Sequence, residues 1–135
     1  MHEILEHTAD MGFRAFGESL PELFANSALA LLSIAGDPAA VEPRHEYALA
    51  VSSGDLESLM VDWLNEVLYW FDGKQVAFRA FRVTRMDGSS LEAAALGEPR
   101  GERHRARRIV KAVTWHQLRV ERRGGRWVAE VYVDI

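Results

Sequence analysis

The segment Leu56–Phe71 reads LESLMVDWLNEVLYWF, and its pattern decides the fold class. Leu56, Leu59, Met60, Trp63, Leu64, Val67, Leu68 and Phe71 recur at the i, i+3, i+4, i+7 spacing of one helix face, unbroken over about four turns. Asp55 and Glu57 stand near the N-terminal end, where the helix dipole favours negative charge, and Asp72-Gly73 ends the run. Downstream the period switches to two. Val76–Met86 meets Ser89–Leu96 through Asp87-Gly88, a hairpin signal, and Val113–Glu121 meets Trp127–Val133 through Gly124-Gly125, with Arg122, Arg123 and Arg126 around the turn. Helix and strands are segregated here, which favours α+β over a doubly wound parallel sheet.

Upstream, Ser19 precedes Glu22 at capping-box spacing, and Pro21 falls in the first turn, where its missing N–H is harmless. Leu20, Leu23, Phe24, Leu31 and Ile34 form a second stripe, interrupted by Ser27 and stopped by Gly36-Asp37-Pro38. Tyr47, Leu49 and Val51 alternate as a short strand. Ile4–His7 and Phe13–Gly17 read as strands around a loop, Thr8–Gly12, while Gly97–His104 reads as the longest loop. The expectation is one domain over residues 1–135, with two amphipathic helices packed on a mostly antiparallel sheet.

The 135 residues are 48% hydrophobic and 27% charged, a globular balance. Lys and Arg total 16 against 20 Asp and Glu, a net charge of -4, which argues against general nucleic-acid binding because clustered cations drive that process. There is no cysteine, so disulfides, thiolate zinc sites and cysteine catalysis are excluded. The N-terminus lacks the basic stretch and apolar core of a signal peptide, and no apolar run reaches the roughly 20 residues of a membrane span. A cytoplasmic protein is expected. Phosphate-binding glycine loops, nucleophile elbows and H-E-x-x-H pairs are missing.

Four stretches carry candidate chemistry. In His7-Thr8-Ala9-Asp10-Met11-Gly12 a polar segment between strands can turn a carboxylate and an imidazole toward one point, and Gly12 permits close backbone approach; a turn cap is the plainer reading of Asp10. At the other end, the strand alternation runs to the last residue, with Trp127, Ala129, Val131, Val133 and Ile135 on one face and Val128, Glu130, Tyr132 and Asp134 on the other. The Asp134 side chain and the Ile135 α-carboxylate are therefore adjacent like charges, and a hard cation between them removes their repulsion. Solvation of Asp134, or pairing with a nearby cation, is the alternative. Arg103–Arg108 with Lys111 can touch phosphate or an acidic surface, or simply be a solvated face. Lys111, Thr114 and His116 can face a pocket, or belong to a strand that keeps Trp115 in the core.

These residues resemble one family. His7-Thr8-Ala9-Asp10-Met11-Gly12-Phe13-Arg14-Ala15-Phe16-Gly17, the Ser19–Phe24 helix start, Ser53–Leu59 running into Trp63–Glu66, Gly97-Glu98-Pro99 with His104, Val110–His116 and the closing Val133-Asp134-Ile135 are similar, in order, to the archeases. Met11 stands where an aliphatic residue is expected and Trp115 where tyrosine is common. The resemblance implies a small α+β domain that is an accessory protein of the RtcB-type RNA ligase in tRNA splicing and RNA repair. It implies promotion of ligase guanylylation and multiple turnover, and a broadened nucleotide choice, with no catalysis of its own. It also implies a divalent cation, usually calcium in such proteins, on Asp10, Asp134 and, through main-chain oxygens, Ile135. His7, Lys111 and His116 are expected around that cation or at the partner contact, and RNA contact is expected to be indirect or transient. Two rivals are a metal-dependent hydrolase using His7, Asp10 and Asp134, and a metal-independent chaperone or protein-interaction module.

Overall fold

The computed structural model describes residues 1–6 and 11–135. The elements are β1 (His2–Glu6), β2 (Met11–Gly17), α1 (Leu20–Ala35), β3 (His45–Ser52), α2 (Leu56–Leu68), β4 (Val76–Met86), β5 (Ser90–Pro99), β6 (Ala112–Val113), β7 (Arg119–Arg123) and β8 (Arg126–Asp134). The α+β expectation holds: two helices pack on antiparallel sheets. One sheet runs β1-β2-β8, and the far edge of β8 is shared by β7, along Arg126–Glu130, and β6, along Val133-Asp134. The other sheet has the order β3-β5-β4. Helix α1 lies against β2 and β4, and α2 against α1, β3 and β6, so each helix covers an apolar face that its sheet cannot hide alone. No described helix is long and apolar enough to cross a membrane.

Local chemistry sets the helix ends. The Ser19 hydroxyl accepts from the Glu22 N–H, as its spacing predicts. The return bond of Glu22 reaches the N–H of Glu18 rather than that of Ser19, one residue outside the usual capping box. Asp55 is the N-cap of α2, accepting from the Ser58 N–H at 2.8 Å. Ser27, the break in the α1 stripe, is buried and satisfied by the Leu23 carbonyl at 2.7 Å. The α2 stripe meets the core through Trp63, whose indole N–H donates to the Phe24 carbonyl at 2.9 Å and joins the two helices.

Three expectations need correction. Gly97-Glu98-Pro99 is not loop but the end of β5, paired with Val76, Ala77 and Phe78; a buried Glu98 carboxylate makes this polar run part of the fold. Val113–Glu121 is not one strand. The Thr114 hydroxyl accepts from the His116 N–H, Leu118 N–H closes on the Trp115 carbonyl, and Gln117 takes φ +51, a side-chain-assisted turn that competes with the ladder. Trp115 is consequently 57% exposed rather than in the core. Ile135 is exposed as well, one residue past the Ala112–Asp134 pair that ends the described ladder.

Candidate functional site

Met11 opens β2 opposite Val133, one residue before Asp134. On the other edge of β8, Ala112 pairs with Asp134, and the Lys111 N–H donates to the Asp134 carbonyl at 2.8 Å. Met11 and Gly12, the Lys111 segment and the last residues of β8 thus meet at one end of one sheet, although the first and last are over 100 residues apart in sequence. His7 and Asp10 lie outside the described residues.

Gly12 has a role that the sequence only hinted at. A Cβ there would stand 2.6 Å from the Val131 carbonyl oxygen and 2.7 Å from the Tyr132 ring. The bare backbone lets Tyr132 lie across β2. Tyr132 is buried, its hydroxyl donates to Glu130 at 3.3 Å, and the His116 ring meets it edge-on at 5.9 Å. His116 is thereby brought beside β8 two residues from Asp134, while Arg14 holds Glu130 at 3.1 Å and Glu3 at 3.1 Å. Lys111 also lines a cavity of about 250 Å³ with Asn65, Leu68, Tyr69, Asp72 and Gly73.

Asp134 and Ile135 are exposed, and the Asp134 side chain offers hard carboxylate oxygens of the kind that calcium and magnesium take. Among the described residues no group of three or more His, Cys, Asp or Glu side chains converges on one point, so a full shell on this end needs main-chain oxygens, water or the segment before Met11.

Two arginines of the basic run are engaged in ion pairs within the fold. Arg103 is bound to Glu98 at 2.6 Å and Arg107 to Asp37 at 3.4 Å, and the Arg107 N–H caps the Ala35 carbonyl at the end of α1. His104 is buried against Glu98. Its Nδ1 accepts from the Gly101 N–H at 2.8 Å, so in the neutral ring Nε2 carries the proton and donates to Glu98 at 2.8 Å. The 5% exposed Glu98 also receives the Glu42 N–H at 2.8 Å and Arg44 at 3.2 Å. This carboxylate organises the whole segment, and reading Gly97–His104 as loop missed it; the available signal was a Gly-Glu-Pro followed by a histidine six residues after the glutamate. Asn65 was missed too: its side-chain oxygen accepts from the Val113 N–H at 3.2 Å, tying α2 to β6.

The Glu42 amide holds the Glu98 carboxyl below its ordinary 4.5; burial opposes this, and His104 and Arg103 add to the lowering. A depressed folded-state value contributes stability that is present above the unfolded value and lost as pH falls through the folded one. The melting temperature of Glu98→Gln should therefore lie below that of the native protein at pH 7, and the gap should close below pH 4.5 as Glu98 protonates. Thermal melts of both proteins from pH 7 to pH 3 check this; a gap that stays constant would show that the charge of Glu98 is not what matters.

A family model described as the archease protein family (MTH1598/TM1083) matches residues 2–135. A curated protein archease of Methanosarcina mazei is 43% identical over 139 residues, covering 99% of this chain and 95% of that one. Another, of Methanopyrus kandleri, is 39% identical and covers 98% of each. The solution structure of Methanobacterium thermoautotrophicum protein 1598 matches with a TM-score of 0.84 at 36% identity, covering 99% of this chain and 98% of that one. An archease of Thermotoga maritima, described as a possible chaperone, shares the fold with a TM-score of 0.62 at 22% identity, over 97% of this chain and 94% of that one.

Proposed function

This chain belongs to the archease family, and on that premise we propose that it is a non-catalytic accessory protein of an RtcB-type RNA ligase in tRNA splicing and RNA repair. It promotes ligase guanylylation and multiple turnover, broadens the nucleotide choice, and acts in the cytoplasm with only indirect or transient RNA contact. The observation that carries the reading is the meeting of β2, β6 and β8, which gathers the Met11, Lys111 and Asp134 segments at one sheet end.

On this reading a divalent cation, calcium by donor chemistry, is held by Asp10, Asp134 and the main-chain oxygens of Ile135, with His7 and His116 nearby. Bound there, the ion would neutralise negative charge where a nucleotidyl group is transferred. Asp134 is fixed by the last rungs of β8, the Lys111 amide holds its carbonyl, and Tyr132 over Gly12 keeps β2 and β8 in register behind it. The pinned arginines, Arg103 and Arg107, support the expectation that RNA contact is indirect.

The test is ligase guanylylation and multiple-turnover RNA joining with and without this protein. Asp10→Ala, Asp134→Asn and a chain extended beyond Ile135 should each lose most of the stimulation. Their calcium affinity should fall by more than the roughly 10- to 100-fold typical of losing an outer-shell partner, with melting temperature unchanged. Stimulation that survives in all three would remove the acidic end from the mechanism and favour the metal-independent chaperone reading. Turnover of phosphate esters by the protein alone would revive the hydrolase rival.

A further inference from the structure

Strand β3, His45–Ser52, is a sheet edge: its eight residues pair with β5 on one side, and no described strand lies on the other. Just past its end the Ser53 N–H donates to the Ser89 carbonyl at 2.7 Å. Ser53 and Ser89 continue the β3–β5 register, so they form a hydrogen-bonded pair. Such pairs alternate along an antiparallel ladder, which makes Tyr47, Leu49 and Val51 the residues bonded to β5. The N–H and C=O groups of Glu46, Ala48, Ala50 and Ser52 therefore point out of the edge, and they have no backbone partner among the described residues.

An open edge templates pairing with another strand, and proteins normally blunt it with bulges, charge or brevity. The other edges of this fold carry those devices. β4 bulges between Phe78 and Ala80 and between Val83 and Arg85, and it bears Arg79, Arg82 and Arg85. β7 has five residues, three of them arginine, and β6 has only two. β1 has five residues, with Glu3 and Glu6 among them. β3 is longer than these last three, pairs without a bulge and contains no Lys, Arg or Pro. Its one carboxylate, Glu46, is drawn back over β5 toward Arg82 on β4 at 3.8 Å. Ala48 and Ala50 are exposed and add no bulk beside the edge, while Tyr47 and Val51, which face the helices, are only half-buried.

We infer that β3 pairs with β3 of a second copy of this chain, antiparallel about a two-fold axis at Leu49, joining the two β3-β5-β4 sheets into one. The order of residues along the edge selects this occupant. With Leu49 on the axis, Ala48 faces Ala50 and Glu46 faces Ser52 on the open face, and Tyr47 faces Val51 on the helix face. The four outward-pointing residues are then matched with one another, each pair exchanging two backbone bonds. Apolar side chains meet apolar ones and no like charges are opposed. A slip by one residue would set helix-facing side chains opposite open-face ones. A two-fold contact of this kind is self-complementary and closes at two copies. The Asp134 end belongs to the other sheet, and the pairing is independent of the ligase reading.

Analytical ultracentrifugation of the full chain over a dilution series should show a monomer–dimer equilibrium, and amide exchange should place it. At dimer-forming concentration the N–H groups of Glu46, Ala48, Ala50 and Ser52 should slow, whereas those of Tyr47, Leu49 and Val51 are already slow in the monomer. Ala48→Pro removes one outward N–H, a change that an edge strand tolerates, and Ala50→Lys sets a cation beside the edge. Each should weaken the dimer roughly ten-fold or more, because the two-fold repeats every loss. Ala94→Lys, on the open face of central β5, should leave it within about two-fold. Melting temperatures confirm folding. A chain that stays monomeric up to millimolar concentration overturns the pairing. So does a dimer whose four outward N–H groups exchange as fast as in the monomer, or one that Ala94→Lys breaks and Ala48→Pro does not. Slowing of those groups on adding an RtcB-type ligase, and not with concentration, gives the edge to a strand of another protein and overturns the second copy as its occupant.

Discussion

Trp63→Ala should lower the unfolding free energy by about 3–5 kcal/mol, the range for deleting a fully buried aromatic side chain. Trp63 is 0% exposed. It extends from α2, hydrogen-bonds the Phe24 carbonyl of α1 and meets the Phe81 ring of β4 edge-on with centroids 5.7 Å apart. Three elements are joined through one indole, so the cavity left by alanine cannot be closed by moving one of them. Against a total of about 5–15 kcal/mol for a native domain, much of the margin is gone. Urea unfolding should show a lower midpoint, and Trp63→Phe, which loses the hydrogen bond and little volume, should lose only about 1–2 kcal/mol. A midpoint for Trp63→Ala within error of the native one would mean that the two helices do not depend on this contact.

Gly97→Ala is the second large expectation, and it comes from the backbone. Gly97 pairs with Phe78 just where β4 bulges between Phe78 and Ala80. A Cβ at Gly97 would overlap the Ala77 carbonyl oxygen and lie 3.0 Å from both the Ala77 carbonyl carbon and the Phe78 Cα. These are main-chain atoms of a paired strand and cannot rotate away. Relief requires β4 and β5 to separate beside Glu98, the carboxylate that collects Arg44, Arg103, His104 and the Glu42 amide. The expected loss is about 3 kcal/mol or more, at the upper end of overpacking effects, with faster amide exchange in β4 and β5. Gly54→Ala, where no atom lies within 4 Å, is the control and should stay within about 0.5 kcal/mol. Equal stability of the two variants would show that β4 yields freely at Gly97.

Helix α1, with its Ser19 cap, and α2, with its stripe from Leu56, followed from local pattern because a helix face repeats within a few residues and its caps are chemically distinctive. The Asp87-Gly88 and Gly124-Gly125 hairpins were equally readable. Alternation failed at Trp115, where the turn depends on one hydroxyl, Thr114, catching the His116 amide; a threonine in a β-branched run looks the same whether its hydroxyl bonds a neighbour or not. It failed again at Glu98, because Gly, Glu and Pro read as loop by composition, and only the arrival of Arg44, Arg103 and His104 makes a buried carboxylate tolerable.

By itself the sequence determined what is local or covalent: two amphipathic helices, hairpins, the Asp134 carboxylate in the last strand, the absence of cysteine chemistry, and the ordered motifs that resemble the archeases. Only the tertiary structure decided which distant segments share a neighbourhood. The register Met11 to Val133 and Ala112 to Asp134 brings β2 and the Lys111 segment to the chain end, and the turn after β6 carries Trp115 out to solvent. The reason is that strand pairing is a non-local choice. It is made by which faces bury most apolar surface together and by where bare glycine lets a ring lie across a neighbour, as Tyr132 does over Gly12.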